Sequence, residues 1–315
     1  DRMYNAPDTE IDFTEQGGLM WGSSAVGKLI AGSNALKPHV QAFVDVEAGP
    51  EVAEKVARRL QHFIDRKIST LFEPLINMQR DDSLTGMARG FAFQMIEGLG
   101  VLDRADVGED VKSLDQEARS ALRKHGIRFG QFTIFMPLLL KPAPTRLRLL
   151  LWSLASGLQE FPEAPPPGLV TVPTDETKPA GYHLKSGYRA AGQRALRVDM
   201  AERLADMLRT QDTRGGFEAT ADMLSITGMT LEQFADLMQG LGYRAEKAER
   251  IKVKAPAATP VAEEPASDAD ASDDGPSQAI ETAPQDAPTA EVSSVVPEAA
   301  AAAGTDATEA DASKE

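Results

Sequence analysis

Residues 50–71 read PEVAEKVARRLQHFIDRKISTL. Val52, Val56, Leu60, Phe63, Ile64, Ile68 and Leu71 recur every three or four positions. That spacing stacks side chains on one face of an α-helix. Pro50 suits a first helical turn, where its missing N–H is not needed, and Pro74 ends or kinks the helix. The stretch therefore predicts one long amphipathic helix. It also marks a change of period, because what precedes it reads differently.

Before it, Leu19-Met20-Trp21, Ala25 to Ile30 and Val40 to Val46 are short apolar runs separated by Gly, Ser, Asn and Pro. They predict short strands in a hairpin or meander. After it, helical spacing returns. Leu84, Met87, Phe91 and Met95 share a face after Ser83, with Gly98 beyond them. Gly86 and Gly90, four apart, would let another element approach that helix closely. Leu114, Ala118 and Leu122 mark a further helix closed by Gly126, and Leu147, Leu150, Leu151 and Leu154 another closed by Gly157. Six prolines crowd residues 161–181, which predicts a linker. Beyond it, Leu196, Met200, Leu204 and Leu208 predict one helix and Phe217 to Ile226 a second. Thr230 with Gln233 forms a capping-box pattern that starts a third helix, expected to bury Leu231, Phe234, Met238 and Leu241. Residues 242–254 alternate loosely and fit a strand or hairpin.

The fold class expected is mainly α. It comprises a β-rich segment over 1–48, a helical domain over 49–160, a Pro-rich linker over 161–181 and a small helical module over 182–254. For that module a winged helix and a plain helical bundle are both allowed. Residues 255–315 hold 19 alanines, seven prolines and no aromatic residue. That composition offers too little apolar surface to offset chain entropy and predicts a disordered tail.

The net charge of −15 is unevenly placed. Residues 255–315 carry 14 acids and one base, Lys314, which leaves the first 254 residues at a net of −2. Asp268, Asp270, Asp273 and Asp274 fail the spacing of a calcium loop, since Gly275 comes late and no Glu closes it. The chain has no cysteine, which excludes disulfides, thiolate catalysis and Cys-based zinc sites and fits a reducing compartment. The longest apolar run, Phe132 to Leu140, is interrupted by Pro137 and far shorter than the roughly 20 residues of a membrane span. A cytoplasmic location is expected, and the start at Asp1 fits a fragment of a longer protein.

Gly22-Ser23-Ser24-Ala25-Val26-Gly27-Lys28 has the glycine spacing of a phosphate-binding P-loop. That chemistry also needs a Ser or Thr next, to hold Mg²⁺, and a helix whose N-terminal amides face the phosphates. Leu29 follows instead, and Gly32-Ser33-Asn34 stops any helix, so a β-hairpin with a Gly-Ser turn is the better reading. Gly98-Leu99-Gly100 lacks the third glycine of a dinucleotide fingerprint, Asp103 standing in its place. His39, His62, His125 and His183 show no ligand spacing, and no metal site is expected. Asp199 and Arg203, four apart, read as a surface helix pair.

From Ala118 to Gln159 no acidic residue occurs, while Arg119, Arg123, Lys124, Arg128, Lys141, Arg146 and Arg148 do. Phe129 and Phe132 lie among them. Cations neutralise phosphates without reading sequence, and rings stack on unpaired bases, so these seven are the candidate nucleic-acid-binding residues. The alternative is that the bases pair with acids elsewhere, such as Glu97, Asp103 or Glu109, and the rings are core.

The same stretch carries a resemblance. Leu122 to Gly130, Phe135 to Pro142 and Leu147 to Leu154 with Trp152 resemble the C-terminal, post-motor region of bacterial superfamily 2 DExH-type helicases related to the mitochondrial degradosome RNA helicase. Ala25 to Leu29, Arg197 to Leu204 and Leu241 to Arg244 add to the likeness, which spans about residues 15–250. In that family ATP and Mg²⁺ belong to two RecA-like domains preceding this region, and no Walker A, Asp-Glu-x-His box or arginine finger occurs here. The resemblance thus implies no catalytic residue and no cofactor in this chain. It implies an accessory role, guiding single-stranded RNA or DNA and bracing the motor, with RNA-decay proteins as further partners. An interaction scaffold in an RNA-processing assembly, without nucleic-acid contact, is the competing expectation.

Overall fold

The computed structural model describes residues 3–249. Strands β1 (Ile11–Phe13), β2 (Gly18–Trp21), β3 (Ser24–Ile30) and β4 (His39–Ala42) form an antiparallel meander in that order. Trp21 pairs with Ser24, so Gly22 and Ser23 alone make the turn, with Gly22 at φ +58°. The P-loop look-alike is therefore the expected hairpin. Leu19 and Leu29 point inward, buried on the face that meets α1 (Pro50–Leu71), where Leu60, Phe63 and Ile64 are fully buried. Arg59 of α1 clamps the N-terminal turn through the Ala6 carbonyl and the Asp8 carboxylate.

Helix α2 (Glu73–Arg80) starts with Pro74 in its first turn, after a break at Phe72. Helix α3 (Gly86–Glu97) ends in a turn through Leu99, the one non-glycine residue at positive φ among the described residues. Three short strands follow around two helices. They are β5 (Val101–Asp103), β6 (Arg128–Phe129) and β7 (Thr133–Phe135), with α4 (Arg104–Ser113) and α5 (Gln116–Lys124) between β5 and β6. The sheet order is β5-β7-β6, antiparallel throughout. Asp103 caps α4 and Asp115 caps α5, each carboxylate accepting a first-turn N–H. Helix α6 (Pro142–Ala155) closes the larger core, which runs from Met3 to Leu151.

The C-terminal part begins with β8 (Thr171–Pro173), inside the segment expected to be a linker. It continues through α7 (Tyr182–Lys185), β9 (Tyr188–Ala191), β10 (Arg194–Arg197), α8 (Val198–Arg209), α9 (Ala221–Thr227) and α10 (Leu231–Gly240). The strands form an antiparallel sheet in the order β8-β10-β9. Leu204, Met223, Phe234 and Leu237 centre a second core. The capping box of Thr230 and Gln233 is formed as expected, but Leu231 is 61% exposed rather than buried.

The class is thus mixed α/β, with about half of the described residues helical, rather than mainly α. The physical reason is strand length. Two- to four-residue strands such as β5 and β6 show too few residues for a period of two to register. Two further expectations change. Nothing packs within 4 Å of where a side chain at Gly86 or Gly90 would begin, so those glycines admit no neighbour. Met87, assigned to the buried face of α3, is 52% exposed. The expected strand over 242–254 is absent from residues 242–249, and residues 250–254 and the tail lie outside the described residues.

Candidate nucleic-acid interface

The seven predicted cations do not form one surface. Arg123 and Lys124 end α5, and Arg128 begins β6; all three are exposed. No ion pair engages them among the described residues, and the Arg123 guanidinium lies 5.7 Å from the centre of the Phe129 ring. Phe129 is partly buried and leans on Phe91 at 5.6 Å between ring centres. The ring is thus in contact with the core on one side and with a cation on another. Helix C-termini favour positive charge in any case, so the dipole of α5 supplies part of the reason for Arg123 and Lys124.

Arg119 turns inward instead. Its Nη2 donates to the Val111 carbonyl at 2.7 Å and its Nε is buried without a hydrogen-bond partner. Arg146 lies over the Phe13 ring, 4.4 Å from its centre, and donates to the Glu15 carboxylate at 2.7 Å. Glu15 is held below the usual carboxylate range: burial raises it, but the Arg146 hydrogen bond and charge outweigh that. Arg148 is a correction. It is wholly buried, donating to the carbonyls of Lys185 and Leu139 and to Thr145 Oγ1. Burial lowers it to about 10, and no phosphate can reach it. It is carried inside with its neighbours Leu147 and Leu149 to Leu151, all buried in the middle of α6. Lys141 is exposed at the mouth of α6, on the wall of a cleft of about 970 Å³ shared with Lys67 and Tyr188.

The expected counter-acids are also differently used. Asp103 pairs with Arg189 at 2.7 Å and Glu109 with Lys112. Asp199 is held by Arg197 through two hydrogen bonds, not by Arg203, because the carboxylate at the start of α8 folds back onto the strand before it. Phe132 packs with the second core beneath the Arg189 guanidinium.

Two features escaped the sequence reading. Asp81, at the end of α2, accepts from the Ser83 N–H and meets His125 Nε2 at 2.7 Å. Its carboxyl is pulled down to about 2 by Ser83 first and His125 second. This contact ties the C-cap of α5, and so the base of the cation patch, to α2. The other is Glu202 on α8, which receives three backbone N–H groups from the β6–β7 turn. Both join residues far apart in sequence that no local spacing links. Among the described residues no cluster of metal-ligating side chains occurs, and no helix is long and apolar enough to cross a membrane. No family model, characterised protein or solved structure matches the chain.

Proposed function

We propose that this chain is the C-terminal accessory region of an ATP-dependent RNA or DNA helicase, where it guides a single strand and braces the RecA-like motor. The observation that carries the reading is the trio Arg123, Lys124 and Arg128, exposed and, among the described residues, without acidic partners beside Phe129. Three cations along a helix end and the strand after it suit a phosphate backbone, and they lie beside a partly exposed aromatic ring. The likeness of residues 122–154 to the post-motor region of those helicases supports the same assignment. In this reading ATP and Mg²⁺ are bound by the motor alone, and the β8–α10 part supports the guiding surface.

The test is the double substitution Arg123→Gln and Arg128→Gln, with single-strand affinity measured across a salt series. Each phosphate that is no longer neutralised flattens the slope of log affinity against log salt by roughly 0.7. The pair should therefore weaken binding about equally for all sequences and flatten the slope by roughly 1.4 units. Both side chains are exposed, so stability should move by no more than about 0.5 kcal/mol. Unchanged affinity and slope would overturn the reading.

The scaffold alternative has one observation of its own. Met87 and Phe93 are 52% and 60% exposed on α3, and Phe93 edges a cleft of about 630 Å³. If protein capture is the main role, Phe93→Ser should abolish binding to a defined RNA-decay partner while the Arg123/Arg128 pair leaves it intact.

A further inference from the structure

The turn between β6 and β7, residues 130–132, is held from three directions. The Glu202 carboxylate of α8 receives the N–H of Gln131 through Oε2 and the N–H groups of Phe132 and Thr133 through Oε1, the last two at 2.9 Å each. Arg104 Nη1 donates to the Gly130 carbonyl at 2.6 Å, and the Arg104 N–H donates to the Phe132 carbonyl at 3.0 Å. Gly130 leaves the room this needs: a β-carbon there would lie 2.2 Å from Glu202 Cδ. Three successive amides converging on one anion form a nest, an arrangement that leaves each donor orphaned when the anion is removed. Burial raises the Glu202 carboxyl above its ordinary value, against the three amides that pull it down.

What leaves this turn is the proposed interface. Arg128 and Phe129 form β6, which pairs with β7 through Arg128 with Phe135 and Phe129 with Ile134. A two-residue strand has too few ladder bonds to fix its own course, so the turn beyond it decides where its side chains point. Helix α8 has anchorage of its own, with Leu204 and Leu208 in the second core, and also meets the hairpin through Val198 against Phe135 of β7. The carboxylate therefore comes from a separate element, whose anchorage in the second core lies partly outside the hairpin.

We infer that Glu202 is a positioning residue: its carboxylate clasps the β6–β7 turn and thereby sets Arg128 and Phe129 in the geometry that holds a single strand. This rests on the reading of Arg123, Lys124 and Arg128 as the strand contact. Glu202 itself meets no nucleic acid, since an anion there would repel phosphate, and its effect is transmitted through backbone.

Amide hydrogen exchange of the full chain without nucleic acid, and single-strand affinity over a salt series, test it together. The variants are Glu202→Ala, Glu202→Gln and, from the other side of the contact, Gly130→Ala. Glu202→Ala should speed exchange at Gln131, Phe132 and Thr133 by tenfold or more, lower affinity several-fold and flatten the salt slope by about 0.7, the share of one phosphate. Glu202→Gln keeps one acceptor oxygen and should fall between. Gly130→Ala, which drives the carboxylate out, should behave like Glu202→Ala. Exchange unchanged at residues 131–133 would overturn the inference whatever binding does. So would faster exchange with unaltered affinity, in a background where Arg123→Gln with Arg128→Gln does weaken binding. If the unsubstituted chain binds no single strand, the proposed function fails and exchange alone decides whether Glu202 orders the hairpin.

Discussion

At the scale of single residues, the buried cations are the least expected feature. Arg148 lies beside Lys185, whose Nζ donates to the Gly98 carbonyl at 2.6 Å. Both groups rest on carbonyl oxygens, and no carboxylate pairs with either among the described residues. A charged group taken from water without an opposite charge is costly, and the cost appears as a lowered affinity for its proton. Lys185 is brought down to about 8, by burial first and by the Arg148 charge second. An unfolded lysine titrates near pH 10.4. Below about pH 8 both states hold the proton and the burial penalty is fully felt. Between about 8 and 10 the folded chain sheds a proton that the unfolded chain keeps, so stability should rise with pH across that window. Above about pH 10 Tyr182 and Tyr188, both raised chiefly by burial, act in the opposite sense, while Arg148, lowered to about 10, acts in the same sense as Lys185. Urea midpoints at successive pH values check this. The rise should vanish in Lys185→Met, and a rise that survives the substitution would assign it elsewhere.

At the scale of elements, Gly27 shows why a motif can be right in spacing and wrong in chemistry. It lies mid-strand in β3, paired with Leu19 on one side and Ala42 on the other. A β-carbon there would sit 2.9 Å from the Gln41 carbonyl oxygen and 3.0 Å from Leu60 Cδ1 of α1. The two glycines of the P-loop pattern thus serve a turn and a sheet-on-helix contact. Gly27→Ala should overpack that contact and cost about 1–3 kcal/mol in denaturant melts, whereas Lys28→Ala should leave stability as it is and change no affinity for nucleotide. The long elements were readable in advance because burial imposes a period on them: α1, α6 and the β2–β3 hairpin fall where apolar spacing put them, and α8 does so from Val198 on, Leu196 of the expected stripe lying in β10 instead. Helix α4 was not, since its buried face consists of Val107 and Val111 alone, too few to stand out from Glu and Asp around them. Of the interface, the charge imbalance was visible but the orientation of each side chain was not. Arg123 and Arg148 look alike as letters, and only the packing of α5 at the surface and of α6 inside separates them. Glu202 was invisible for a different reason, because its partners are backbone groups about 70 positions away.

At the scale of the whole molecule, the charge distribution sets a constraint on any binding to phosphate. The chain carries −15 in all, yet its first 254 residues are nearly neutral, and the remaining 61 hold 14 acids against one base. A polyanion approaching Arg123, Lys124 and Arg128 meets attraction from three nearby charges and repulsion from the average field of the rest. The balance depends on ionic strength. At 0.01 M salt charges act over about 30 Å, and at 1 M over about 3 Å, so direct pairing survives screening while the summed field of an acidic segment does not. Removing residues 255–315 should therefore raise single-strand affinity several-fold at low salt. That advantage should shrink steadily until the two proteins bind alike near 1 M. The decisive quantity is the ratio of affinities, without the segment over with it, plotted against salt. A ratio that holds constant would mean the segment acts through something other than its charge. A ratio below one at low salt would mean it contributes to binding, and the guiding surface would then have to be sought beyond α5 and β6.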